Sequence, residues 1–261
     1  MRGGYSPGTE GTAIVEMLEP EYEVMFHREE RYWWYRGMRR ITESFVPDLF
    51  ALPAGSLVLD AACGTGANLA HLLAEAPRLR AVGLDLSAEA LRFSARRKLP
   101  ALVRGSVERL PFRDAHFDAV TCHDALYAVP DDVTALAEMH RVLKPGGRLF
   151  VTSPALPSLA SEHDRAVSGE RRYTKRELEQ KLVRAGFRVE RISFANSFLL
   201  PPIFLARKLR RPSRGAPTSD FHLAPGPLNG VLTAVLTLEA WLLKRVGLPL
   251  GVTLLASARR G

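Results

Sequence analysis

Residues 58–66 read Val-Leu-Asp-Ala-Ala-Cys-Gly-Thr-Gly, and this run predicts more about the protein than any other stretch of the chain. A short apolar strand ends at Asp60, and a turn of small residues follows it. Helical spacing then begins with Leu69, Leu72 and Leu73, so the turn opens a helix whose free N–H groups face the end of the strand. Because such a turn lets a ligand lie directly against the backbone, we predict a nucleotide site here.

A second apolar strand, residues 81–84, ends in Asp85, which lies 19 residues beyond Gly66. An acidic residue at about this distance is placed to accept hydrogen bonds from both hydroxyls of a ribose. The turn lacks the third glycine of the dinucleotide-binding pattern, because Leu69 stands in its place. A nicotinamide-dependent oxidoreductase is therefore the disfavoured alternative.

The pattern Asp-x-x-Cys-Gly-Thr-Gly, together with Asp85, resembles the class I S-adenosylmethionine-dependent methyltransferases over residues 58–153, in the small-molecule branch of the ubiquinone and menaquinone methyltransferases. The resemblance implies a Rossmann-like α/β fold: a seven-stranded, mostly parallel sheet with a reversed last strand and helices on both faces. It implies S-adenosylmethionine as cofactor, S-adenosylhomocysteine as product and no metal. The cofactor-binding residues that it implies are Arg36, Asp60, Ala62, Gly64, Gly66, Asp85, Leu86, Ser106, Val107 and Cys122.

Two later segments fit the same resemblance. The family commonly has an acidic residue where Ser106 stands, accepting a hydrogen bond from the adenine amino group, and a serine hydroxyl accepts one more weakly. The strand at 118–122 leads to His123 and Asp124, at the carboxyl edge where open α/β sheets bind ligands. An Asn-Pro-Pro-Tyr or Asp-Pro-Pro-Tyr motif, typical of methylation on exocyclic amino groups, is missing, which disfavours nucleic acid as substrate.

A general base is needed only if the methyl acceptor is protonated at the working pH. We predict His123 and His163 as alternative bases, because both titrate near neutral pH and belong to loops at the carboxyl edge. Structural roles for both stay open. Tyr35, Asp124 and Tyr173 are the predicted substrate contacts.

Strands and helices alternate after residue 53, which predicts a sheet covered on both faces. Ser87, Asp131 and Thr174 are predicted helix N-caps, and the helix after Asp131 is expected to run through Val142. The predicted strands are 57–60, 81–85, 101–104, 118–122, 147–153, 187–195 and 251–258.

The chain divides into a disordered leader at 1–12, an N-terminal helical cap at 13–52 and a methyltransferase domain at 53–261. The cap contains the aromatic run Tyr32-Trp33-Trp34-Tyr35, and the resemblance to a subgroup of small-molecule methyltransferases implies that Tyr35 or Arg36 closes the pocket.

An apolar helical insertion is predicted at 198–247, before the last strand. Its segment 228–243 is apolar around the whole helix but shorter than the roughly 20 residues that a membrane span requires. A lid, a dimer interface and a peripheral membrane contact remain alternatives for this insertion.

The composition sets broader limits. A chain of 261 residues, 46% of them apolar, suits one domain with appendages. Two cysteines make no disulfide framework, and the N-terminus has no apolar signal region, so a cytoplasmic location is expected, with membrane association left open. Residues 170–215 hold thirteen Lys or Arg and four Glu, a local excess of +9, so the remainder of a chain with net charge +8 is close to neutral. That patch suits an anionic small substrate, an acidic membrane, RNA or a solvated helix face.

The favoured function is methyl transfer from S-adenosylmethionine to a small or lipid-like molecule by in-line displacement, without metal. The two alternatives are the nicotinamide-dependent oxidoreductase and a non-catalytic cofactor-binding scaffold protein.

Overall fold

The structure is a computed structural model that describes residues 19–160, 171–209 and 226–261. The predicted leader, 1–12, and His163 therefore lie outside the described residues. Seven strands form one sheet in the part of the chain that is described: β1 Leu57–Ala61, β2 Arg80–Asp85, β3 Leu102–Arg104, β4 Phe117–His123, β5 Leu143–Pro154, β6 Phe187–Ala195 and β7 Thr253–Arg260.

The order of the strands across the sheet is β3-β2-β1-β4-β5-β7-β6. Pairing is parallel from β3 to β5, and β7 runs antiparallel to both β5 and β6. This arrangement confirms the predicted α/β class with its reversed last strand. Strand β1 lies between β2 and β4, so the order along the chain reverses there, and the carboxyl ends of β1 and β4 flank the crevice in which such sheets bind ligands.

The fifth strand begins four residues earlier than predicted. The sequence Lys144-Pro-Gly-Gly147 suggested a turn after the preceding helix, but Leu143 pairs with Phe117 on β4 before a shift of register. Pairing across the sheet therefore absorbs the turn residues into β5, an effect that local sequence does not record.

The helices of the described residues are α1 Glu19–Arg28, α2 Trp33–Phe45, α3 Pro47–Phe50, α4 Ala67–Glu75, α5 Ala88–Arg96, α6 Asp132–Val142, α7 Lys175–Arg184, α8 Leu200–Leu209 and α9 Asn229–Leu243. All three predicted N-caps are confirmed. The side chains of Ser87, Asp131 and Thr174 each accept a hydrogen bond from a backbone N–H in the first turn of the following helix.

Two apolar layers cover the two faces of the sheet. Helices α6 and α7 pack on one face through residues such as Leu136 and Leu178, while α2, α4 and α9 cover the other through residues such as Ile41 and Leu236. Fully burying one side chain of this size stabilises the fold by about 1.5 to 3 kcal/mol.

Helix α9 is the main part of the predicted insertion that the structure describes, and it packs against α2. A Cβ added at Gly37 would lie 2.2 Å from Cδ1 of Leu236, so only glycine allows this close approach. Glu239, fully buried on α9, accepts hydrogen bonds from the backbone N–H groups of Asn196 and Phe198 after β6. None of the helices in the described part of the chain is both long and apolar enough to cross a bilayer.

Candidate active site

The glycine-rich turn after β1 takes backbone conformations that suit small residues. Gly64 and Gly66 have φ angles of +55° and +81°, and Ala62 has +66°. At Gly66 a Cβ would also lie 2.6 Å from Leu99 and 2.8 Å from the hydroxyl of Ser94. The turn therefore needs glycine at this position for two separate reasons.

Asp85, at the end of β2, lies beside this turn. One carboxylate oxygen accepts the N–H of Gly64 at 2.8 Å, and the other accepts the N–H of Ser87 at 2.9 Å. Each carboxylate oxygen can accept a second hydrogen bond, so the side chain is oriented by the backbone and still has capacity for a diol. This capacity fits the hydrogen bonds to a ribose that are predicted for Asp85. The next residue, Leu86, is half-buried.

Asp60, one residue before the end of β1, is buried. Its carboxylate accepts a hydrogen bond from the hydroxyl of Thr121 on β4 at 2.8 Å. Burial raises the pKa of Asp60 to about 7, the Thr121 hydrogen bond opposes the rise, and the negative charge of Asp85 adds to it. The carboxyl of Asp60 is thus poised between its neutral and charged forms near physiological pH.

The loop after β3 carries Ser106 and Val107. The hydroxyl of Ser106 accepts the N–H of Glu108 at 3.1 Å, which is a short serine turn, and Val107 is buried. Ser106 therefore has a structural task in the loop in addition to the adenine contact predicted for it.

An unpredicted group of residues ties the N-terminal segment to the glycine turn. The hydroxyl of Thr65 donates to the buried carboxylate of Glu29. Arg97 contacts Glu29 at 3.0 Å and donates from Nε to the carbonyl of Thr65 at 2.8 Å. Burial raises the pKa of Glu29, although Thr65 and Arg97 both favour its charged form. No signal in the sequence separates Glu29 from its neighbour Glu30.

Two predicted residues at the end of β4 lie in apolar surroundings. Cys122 is fully buried, and burial raises the pKa of its thiol to about 12. The ring of His123 packs edge-on against Phe150, with ring centres 5.3 Å apart, and burial lowers its pKa to about 4. His123 lines a narrow cleft between α2 and α4, together with Arg39 and Thr42.

Asp124 leaves the sheet in a left-handed conformation, with φ at +44°. Its N–H lies 3.0 Å from both the carbonyl and the hydroxyl oxygen of Thr152 on β5. The side chain is exposed to solvent and also has protein atoms close around it. Partial desolvation raises its pKa to about 6, while Thr152 and the positive charge of Arg172 oppose the rise.

The structure brings Tyr35 and Asp124 together. Burial raises the pKa of Tyr35 well above 10, and the negative charges of Glu29 and Asp124, which lie near its hydroxyl, add to the rise; Tyr32 and Tyr127 are also nearby. Tyr127 belongs to the short turn after β4, and sequence reasoning did not single it out. Its position just beyond the end of a central strand is the signal that could have identified it.

Two other predicted residues lie elsewhere. Tyr173 is fully buried, and its hydroxyl contacts the carboxylate of Asp132 at 2.6 Å, so the geometry gives it a structural role. Arg36 is exposed on α2, pointing away from the buried face of that helix.

Comparison with known proteins agrees with this geometry. The family profile described as "Methyltransferase domain" matches residues 59–151. The ubiquinone/menaquinone biosynthesis C-methyltransferase UbiE of Syntrophotalea carbinolica is 34% identical over 168 residues, which cover 61% of this chain and 69% of that protein. The demethylmenaquinone methyltransferase of Geobacillus kaustophilus is 41% identical over 159 residues, covering 56% and 63% of the two chains. The chain spans about half the length of several other curated relatives that it matches.

A solved structure of geranyl diphosphate methyltransferase, in complex with geranyl diphosphate and sinefungin, is 18% identical, covers 84% of this chain and 76% of that chain, and has a TM-score of 0.58. It shows a shared fold. The fold and the glycine turn with Asp85 together define a class I S-adenosylmethionine-dependent methyltransferase. The chain belongs to this family, in the branch that contains the ubiquinone and menaquinone C-methyltransferases, and its cofactor is S-adenosylmethionine.

Proposed function

We propose that this protein transfers a methyl group from S-adenosylmethionine to a small or lipid-like acceptor by in-line displacement, without a metal. The observation that carries the proposal is the arrangement along one edge of the sheet. The glycine turn and Asp85 suit a nucleoside, and Asp124 directly follows β4, the strand that pairs with β1. The comparisons give no support to the oxidoreductase or scaffold alternatives.

When bound, the cofactor supplies a methyl group on a sulfonium, whose leaving group is a neutral thioether. The protein then has to orient the acceptor and exclude water. The cofactor contacts that we propose are Asp60, Ala62, Gly64, Gly66, Asp85, Leu86, Ser106, Val107 and Cys122, with exposed Arg36 the least supported of the predicted set.

The surroundings of Asp124 suit an apolar acceptor that carries a hydroxyl or an acidic C–H. Tyr35 lies near the Asp124 carboxylate, Tyr127 lies near Tyr35, and Arg172 supplies a positive charge close to Asp124. Aromatic walls around a few polar groups are typical of pockets for small apolar ligands. The names of the relatives point the same way, since UbiE belongs to quinone biosynthesis and another relative is a phthiotriol/phenolphthiotriol dimycocerosates methyltransferase.

Asp124 is the proton acceptor that the geometry favours. The proton of the acceptor would pass to its carboxylate as the electron pair left behind attacks the methyl carbon. His123 stays a prediction, but a ring packed on Phe150 with a pKa of about 4 holds a proton weakly. His163, outside the described residues, also stays a prediction.

Calorimetry with S-adenosylhomocysteine tests the cofactor site, and transfer of labelled methyl to 1,4-naphthoquinols with isoprenoid chains tests the acceptor class. Asp124→Asn should lower turnover about a hundredfold or more without changing S-adenosylhomocysteine affinity, and should remove a rise in rate centred near pH 6. Asp114→Asn, at an exposed site, is the control. Absence of S-adenosylhomocysteine binding would overturn the proposal, and binding without transfer to any acceptor would favour the scaffold alternative.

A cytoplasmic location is also proposed. Its support is that Cys63 and Cys122 are free, buried thiols, which suits a reducing compartment. A homodimer stays a prediction.

A further inference from the structure

Helix α9 has an exposed apolar face, opposite the one that packs on α2. We name Val231, Ala234, Leu238 and Trp241 the α9 apolar face, and their spacing places them on one side of the helix. Val231, Leu238 and Trp241 are 59%, 55% and 50% exposed. The helix is therefore apolar all round, with one face packed on α2 and the opposite face exposed.

Other exposed apolar side chains occur in the same part of the chain. Among the described residues, nine of the eleven large apolar side chains that are strongly exposed fall between 198 and 250, including Phe204 and Leu205 on α8. An exposed apolar face on a folded domain, such as that of α9, marks a contact with a membrane or another protein.

Basic groups border both ends of the α9 apolar face, and exposed acids are missing from it. Lys244 and Arg245 are exposed just after the helix, and the Arg245 guanidinium lies 4.4 Å from the ring centre of Trp241. At the other end, Arg31 is exposed next to Glu30, which is 70% exposed and pairs with Arg97, and the Arg31 carbonyl accepts a hydrogen bond from Asn229. Between residues 226 and 261 the single acid is Glu239, which is fully buried.

The packing of α9 presents this face in a fixed orientation. Asn229 accepts the N–H of Trp33 at 2.8 Å, Leu236 packs over Gly37, and Glu239 holds the end of β6. Three separate contacts along the helix therefore fix its direction. Docking this face requires little ordering of the chain, which favours binding.

We propose that the α9 apolar face docks on the surface of an anionic lipid membrane. The apolar side chains would enter the acyl boundary, Trp241 would lie at headgroup level, and the flanking Lys and Arg groups would contact lipid phosphates. The basic borders favour anionic lipid over a second copy, because two identical copies would bring like charges together. The inference rests on the proposed function in one respect: a lipid-like acceptor would be reached from the same surface.

Vesicle sedimentation with the full chain tests the proposal without any methyl acceptor. Vesicles of phosphatidylcholine alone are compared with vesicles that also contain phosphatidylglycerol, at low and high salt. We expect sedimentation with the anionic vesicles, weakened by salt. Val231→Glu should reduce the apparent affinity about tenfold or more. The matched control is Val183→Glu on α7, because Val183 is 58% exposed and the substitution adds the same charge.

Circular dichroism and S-adenosylhomocysteine calorimetry are the controls that check whether both variants are folded. Failure of the wild-type protein to sediment with anionic vesicles, or equal losses in the two variants, would overturn the proposal. So would a dimer by light scattering that Val231→Glu dissociates, since a second copy would then cover the face. Because the readout is vesicle binding, a protein that binds vesicles but no S-adenosylhomocysteine would contradict the proposed function alone.

Discussion

The hydroxyl of Thr65 donates a hydrogen bond to the buried carboxylate of Glu29, and this contact joins the N-terminal helices to the glycine-rich turn. Arg97 completes the group, since it contacts the Glu29 carboxylate and the carbonyl of Thr65. Met25 on α1 also lies over Gly64. The N-terminal helices thus form part of the wall around the turn that the cofactor requires.

Glu29→Ala should lower both stability and affinity for S-adenosylhomocysteine. It leaves buried Arg97 without its buried partner, which costs about 3 kcal/mol. Glu30 contacts the same arginine at 3.0 Å but is 70% exposed, so Glu30→Ala should cost less than about 1 kcal/mol. Urea unfolding and calorimetry measure the two effects, and equal losses in both variants would contradict the role given to Glu29.

Comparing Gly66→Ala with Gly55→Ala separates the cost of backbone strain from the cost of crowding. Both glycines have a φ of +81°, but only Gly55 has open space around it. Gly55→Ala should cost about 1 to 2 kcal/mol from the left-handed backbone alone. Gly66→Ala adds the clash with Leu99 and Ser94, about 1 to 3 kcal/mol more. We also expect S-adenosylhomocysteine binding to weaken only in Gly66→Ala. Similar unfolding midpoints for the two variants would argue against the clash.

Asp60 should contribute a fall in the stability of the cofactor-free protein as pH rises from about 4 to 7, opposed by His123, whose lowered pKa contributes a rise. Burial raises the pKa of Asp60 in the folded state to about 7, so between its unfolded pKa and pH 7 the native protein holds a proton that the unfolded chain has lost. Each pH unit in this window lowers the free energy of unfolding by at most about 1.4 kcal/mol. In Asp60→Asn this fall should be smaller. Unfolding curves at several pH values, compared with wild type, provide the measurement, and identical pH profiles would show that Asp60 titrates normally.

Tyr173→Phe should reduce stability by about 1 to 2 kcal/mol without changing methyl transfer. The substitution removes a buried hydroxyl from Asp132, which keeps contacts with Lys181 and Arg171. Tyr35→Phe should do the reverse, leaving stability nearly unchanged while raising the KM for the acceptor. Thermal unfolding and steady-state kinetics on both variants make the test. A raised KM for the acceptor in Tyr173→Phe would instead support the prediction that Tyr173 contacts the substrate.

The sheet and its caps could be predicted because they depend on local patterns. Apolar runs ended by Asp60 and Asp85 predict parallel strands, and Ser87 accepts the cap hydrogen bond that its position implies. The start of β5 could not be predicted, because it depends on pairing between Leu143 and Phe117 across the sheet. Strand pairing is a long-range interaction that local sequence does not encode.

The structure places the predicted site residues in different surroundings. Tyr35 and Asp124, far apart in the chain, are brought together, while Tyr173 and His123 turn into packed surroundings. A sequence indicates which residues reach the end of a strand, but the direction and solvation of a side chain depend on neighbours from other elements.

The sequence by itself determined the class of fold, the family and the cofactor, because the small-residue turn and the acid after the next strand are short-range requirements of a nucleotide site. Only the tertiary structure decided the rest. It placed Glu29 against Thr65, brought Asp124 near Tyr35 and gave α9 one buried and one exposed apolar face. These properties arise from contacts between elements distant in the chain, where burial and neighbouring charge decide what each residue can do.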